Sequence, residues 1–158
     1  MTYHETVIDV IHHILSKGSG YLKMIDTRNA YDKLLRNYHQ VNLNGEVVYR
    51  NNRAKSHYRF SVEAWKINDV KKCYYEHLIP VKLMKQELKA LIDSANINRQ
   101  AIAAILNNNE KVVLTRDEAQ NIDKKHKTCL PDSGKDRVTE YTISIEPKTK
   151  DNSIFKNK

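Results

Sequence analysis

The stretch KVVLTRDEAQNIDKKH, residues 111–126, decides how the rest of the chain reads. The short apolar run Val112, Val113 and Leu114 predicts a buried strand. Thr115 is followed three residues later by Glu118, the spacing of a capping box, so a helix over 116–126 is expected. A strand that hands over directly to a capped helix points to a mixed α+β core.

Working outward, CYYEHLI (73–79) predicts a second strand ending close to Pro80. Between the two strands lies the most helical part of the chain. Val81, Met84, Leu88 and Leu91 form one apolar stripe, and Asn96 is placed to cap a helix that turns Ile97, Ala101, Ala104 and Ile105 inward. At the N-terminus Thr2 and Glu5 again have capping-box spacing, and Val7, Ile11, Ile14 and Leu15 share a helical face that Gly18 and Gly20 end. Leu22, Ile25, Leu34, Leu35 and Tyr38 predict a second helix to about residue 39. Asn44-Gly45 within VNLNGEVVY (41–49) predicts a type I′ hairpin turn. Ser61 caps a short helix within 61–72, and the alternation of VTEYTISI (138–145) predicts a strand. The expectation is a mostly helical α+β single domain over 1–146 with a small antiparallel sheet, its strand–helix core at 73–126, and a lysine-rich tail at 147–158 that need not be ordered.

The chain has 158 residues, of which 40% are hydrophobic, enough to build one domain with a real core. Lys and Arg number 27 against 19 Asp and Glu, a net charge of +8. That excess favours a polyanionic partner, with nucleic acid first. Cys73 and Cys129 are far apart and support neither a zinc ribbon nor a disulfide framework. No apolar run approaches the ~18 residues of a membrane span, and the N-terminus lacks the basic and small-residue features of a secretory signal, so a cytoplasmic protein is expected. KGSG (17–20) does not follow a strand and lacks the spacing of a phosphate-binding loop. His4, His12 and His13 do not form an i, i+4 ligand pair on one helix. There is no serine elbow, and nothing marks either cysteine as a nucleophile.

The acidic–histidine step Glu76-His77 is the sharpest chemical feature. Phosphodiester hydrolysis needs a base to take a proton from water and a cation to offset charge at the phosphate. A histidine at a strand end beside an acidic metal ligand, with a second ligand from a helix crossing that strand, supplies both. Because successive strand residues point to opposite faces, Glu76 and His77 serve one site only if the backbone bends there.

YEHLIP (75–80), followed by NEKVVLTRDEAQNIDKKHK (109–127), resembles HNH endonucleases of the ββα-metal type, in particular the HNH domain of RNA-guided effector nucleases. The resemblance implies that His77 is the general base, that Glu76 is the first metal ligand, and that Gln120 or Asn121 is the second, around Mg2+ or Mn2+. Glu76 stands where the family usually has Asp. Gln120 aligns with the family's helix Asn, while Asn121 lies one position later, about 100° around the helix. Residues 81–110 lengthen the connection, and the zinc-binding cysteines of many relatives are missing. Helix spacing adds Asp117 as a ligand candidate, since it shares a face with Asn121 at i, i+4 and with Gln120 at i, i+3. Lys124 and Lys125 face phosphate in this reading, and His126 is a further candidate at the helix end.

Arg50, Arg53 and Arg59 lie in a basic stretch interleaved with Tyr49 and Tyr58, the pattern expected where arginines hold phosphates and tyrosines stack on bases. The expected function is a metal-dependent nuclease acting on nucleic acid, DNA rather than RNA. The alternative is a non-catalytic module on the same scaffold that binds nucleic acid or a protein partner.

Overall fold

The computed structural model describes residues 1–42, 44–48, 58–67, 69–134, 136–140, 143 and 145. Arg50, Arg53 and the tail 147–158 lie outside the described residues. The protein is α+β, and within the stretch expected as one domain the backbone groups into two compact units: residues 1–39 with 81–109, and residues 40–80 with 110–158.

The first unit is helical. Helix α1 (Tyr3–Ser16) opens with the expected capping box: Thr2 Oγ1 accepts from the Glu5 amide, and the Glu5 carboxylate accepts from the Thr2 amide at 2.6 Å. Gly18, at φ +85°, turns the chain into α2 (Ser19–Thr27), whereas Gly20 lies within that helix rather than ending α1. The single helix expected to about residue 39 is broken into α2 and α3 (Ala30–Asn37), because Asn29 adopts φ +56°. Asparagine enters the left-handed region more readily than most residues, so it can carry that turn.

Val7, Ile11, Ile14, Leu15, Leu22, Tyr31, Leu35 and Tyr38 of this unit pack with Val81, Met84 and Leu88 of α5 (Val81–Asp93) and Ile102 and Leu106 of α6 (Arg99–Asn108). The cap of α6 is Asn98, whose Oδ1 accepts from the Ala101 amide at 2.8 Å, not Asn96. Ile97 and Ile105 pack against the core as expected, Ile102 and Leu106 are the most buried residues of α6, and of the expected inward residues only Ala104 is exposed.

The second unit is built on a three-stranded sheet of order β1-β3-β2. Strand β1 (Arg59–Phe60) runs parallel to β3 (Lys111–Thr115), and β2 (Cys73–His77) runs antiparallel to β3, so the sheet is mixed rather than antiparallel throughout. Val41 and Val47 bridge antiparallel, as a hairpin requires, but of Asn44 and Gly45 only Gly45 has positive φ. The turn is therefore not type I′. The Asn42 side chain closes it by accepting from the Asn44 and Glu46 amides.

Helix α4 (Val62–Ile67) begins at Ser61, whose Oγ accepts from the Ala64 amide at 3.0 Å, and is followed by a 3-10 turn at Val70–Lys72. Helix α7 (Arg116–His126) follows β3 directly through the Thr115–Glu118 capping box. The expected strand at 138–145 is replaced at its start by helix α8 (Arg137–Glu140), leaving Ile145 in a single antiparallel bridge to Ser61. The period-2 pattern loses because Val138 is drawn into a cluster with Val112, Leu114 and Ile122, and Arg137 is anchored just before it.

Two helix starts share one carboxylate. Glu118 Oε2 accepts from the Thr115 amide at 2.8 Å and from Ser61 Oγ at 2.7 Å. Ser61→Ala and Thr115→Ala are each expected to cost about 1 kcal/mol, the usual worth of a cap. Because both act through Glu118, the double variant should depart from additivity by about 0.5 kcal/mol or more. Urea denaturation of the four chains checks this; strict additivity would mean that the two caps are independent.

Candidate functional site

Strand β2 is regular up to His77. Its register pairs Tyr75 with Val113, Glu76 with Val112, and His77 with Lys111. Directly opposed residues of an antiparallel pair share a face, and neighbours along a strand alternate. Glu76 therefore lies on the face of Val112 and Leu114, which packs against Ile122 of α7 and Val138 of α8. His77 lies on the face of Tyr75 and Val113, the side that carries Tyr58, Phe60, Ala64 and Trp65. The backbone bends only at residues 78–79, ahead of Pro80 and too late to bring the two side chains to one face.

Glu76 has a different partner. Arg137, only 2% exposed, donates through Nη2 to the Glu76 carboxylate and to the His77 carbonyl at 2.8 Å. Its Nη1 donates to the carbonyls of His126 and Lys127 at 3.0 and 3.1 Å. One guanidinium thus ties the end of β2 to the last carbonyls of α7, where a cation also offsets the helix dipole. Burial raises the Glu76 carboxyl above its ordinary pKa. The Arg137 charge and hydrogen bond pull it back down, and nearby Asp123 pushes it up further.

Helix α7 does cross the sheet, packing against both β2 and β3. Its buried face, however, is Ala119 and Ile122. Asp117, Gln120 and Asn121 are exposed, so the expected second ligand points away from the apolar face that meets the strand. Among the described residues no three His, Cys, Asp or Glu side chains come together as a metal-holding group. Glu76 is held by Arg137 and His77 belongs to the opposite face, so the donors of the sequence-derived Mg2+ or Mn2+ site do not fit a shared ion. Sequence reasoning missed Arg137 and Asp123, and an isolated arginine in a polar stretch carries no periodic signal that would have marked it.

Of the expected phosphate-binding residues, Arg59 is partly buried in an ion pair with Glu110. Lys124 and Lys125 stand exposed on the last turn of α7, with Lys127 exposed just beyond it, and none of the three makes an ion pair among the described residues. His126 is half-buried, with Nδ1 4.0 Å from the exposed Cys129 Sγ. No helix among the described residues is long and apolar enough to cross a membrane. Comparison of the chain with protein-family models, with curated proteins and with solved structures finds no match.

Arg137→Met is expected to destabilise the protein by about 3–5 kcal/mol, the range for leaving a buried ion's partner alone. Glu76 also sets a pH dependence. Its folded-state pKa lies above the unfolded value of about 4.3, so the folded state binds the proton more tightly. Its contribution is therefore greatest at low pH and is lost as pH rises through the folded pKa. Stability curves of wild type and Glu76→Gln from acid to neutral pH should show a flatter decline in the variant. A steeper decline in the variant would mean that the ion pair outweighs burial.

Proposed function

We propose that the chain is a nucleic-acid-binding module that grips the phosphate backbone without cutting it, with duplex DNA as the first partner. The observation that carries this reading is the exposed cluster Lys124, Lys125 and Lys127 at the end of α7, in a chain of net charge +8. Exposed lysines displace the condensed counterions of a nucleic acid when they meet its phosphates, and that release drives non-specific binding. The cluster projects from a helix end fixed by the Arg137 contacts, which gives the cations a defined base. Metal-dependent hydrolysis has the weaker support, since Glu76 and His77 belong to opposite faces of the sheet.

Fluorescence anisotropy with short labelled duplex DNA and single-stranded RNA, over a series of salt concentrations, tests the proposal. Log K should fall linearly with log salt, and replacing Lys124, Lys125 and Lys127 with Gln should reduce the slope by about 2–3 on duplex DNA. Absence of salt-sensitive binding, or an unchanged slope in the triple variant, would overturn it. Plasmid incubated with the protein and Mg2+ or Mn2+ should stay supercoiled. Nicking that disappears in His77→Ala would restore the nuclease reading.

A further inference from the structure

The helical unit contains a cleft of about 470 Å3 lined by α2, α3 and α5, within the usual size of a small-molecule site. Its floor is apolar, formed by Leu22 and the ring of Tyr31, and its rim is cationic, with Lys23, Lys82, Lys85 and Lys89. Two of these lysines are already neutralised. Lys85 bridges Asp26 and Asp32, at 2.6 and 3.0 Å, and Lys89 pairs with Asp93. Lys23 and Lys82 are exposed and make no ion pair among the described residues. Ser19, the first residue of α2, also lines the cleft, and α2 begins at Gly18 with no side-chain cap. The first-turn amides of α2 therefore keep their donor capacity toward an anion.

A second, independent feature points to the same place. Tyr31 is 1% exposed, and its hydroxyl has no hydrogen-bond partner among the described residues. Buried hydroxyls are nearly always paired, because an unmade hydrogen bond costs the full desolvation of the group. Tyr31 and Asp26 both line this cleft, and burial, with the Asp26 charge adding to it, raises the phenol's pKa.

We propose that this cleft binds a small amphipathic anion: an apolar, ring-sized body resting on Leu22 and Tyr31, with a single phosphate, sulfonate or carboxylate head held by Lys23, Lys82 and the amide end of α2. The Tyr31 hydroxyl, which has no partner among the described residues, donates to the head group. The intact Lys85 bridge keeps Asp26 from repelling the head. This site is separate from the proposed nucleic-acid grip, and its ligand is a small molecule rather than a polymer.

Anilinonaphthalene sulfonate, an aromatic body with one sulfonate, is a suitable probe of the full chain. It should bind saturably at one site, and amide resonances of residues 19–26 and 82–89 should shift on titration. The double variant Lys23→Gln/Lys82→Gln should weaken binding about tenfold and Tyr31→Phe about threefold, with thermal unfolding midpoints at or above that of wild type for the phenylalanine variant. Lys124→Gln/Lys125→Gln should leave the affinity unchanged. Non-saturable binding, shifts confined to other residues, wild-type affinity in either cleft variant, or equal weakening in the α7 variant would each overturn the assignment.

Discussion

A buried guanidinium organises the sheet-bearing unit. An ion taken out of water costs several kcal/mol unless its charge and its donors are met. Arg137 meets most of that demand through Nη1 and Nη2, with one carboxylate and three backbone carbonyls drawn from the end of β2 and the end of α7, while its Nε has no partner among the described residues. The acceptors lie far apart in sequence, so satisfying Arg137 brings three segments into register at once. Residue 137 becomes the start of a short helix, α7 ends where its last carbonyls find donors, and Glu76 becomes structural.

Glu118 does a related job at the other end of α7. Its carboxylate closes the Thr115 capping box and also receives the Ser61 hydroxyl, which itself caps α4. Ser61 in turn donates its amide to the Val113 carbonyl, so the β1–β3 pairing and both helix starts form one connected polar network around the apolar strand β3. Buried networks of this kind are costly when half satisfied and specific when complete. With Glu118 engaged at its start and the carbonyls at its end held by Arg137, α7 presents its exposed polar face and its lysine-rich terminus to solvent.

Much of the fold was legible because it is local. The capping boxes at Thr2 and Thr115, the strand Lys111–Thr115 and the helix Arg116–His126 stand where the residues place them, since a cap needs only four consecutive residues and an amphipathic stripe only two turns. The apolar stripe of α5 was equally plain. What misled was short-range ambiguity. Asn96 and Asn98 are both good caps, and only the structure shows that it is Asn98 that holds the Ala101 amide. Likewise, VTEYTISI alternates as a strand should, but alternation is a statement about a surface the segment has yet to meet.

The sequence by itself determined the α+β class, the strand-to-helix handover at Thr115 and the basic character of the chain, because propensity, capping and net charge depend on neighbouring residues or on simple counts. The condition for a Glu76–His77 site was legible too: alternation separates the pair unless the strand bends. Only the tertiary structure decided that it does not bend, because the ladder to β3 runs unbroken to the His77–Lys111 pair. Only the tertiary structure supplied Arg137 as the partner of Glu76, across 61 positions of chain. A buried charge finds its counter-ion through the packing of distant segments, and no local pattern announces which one it will be.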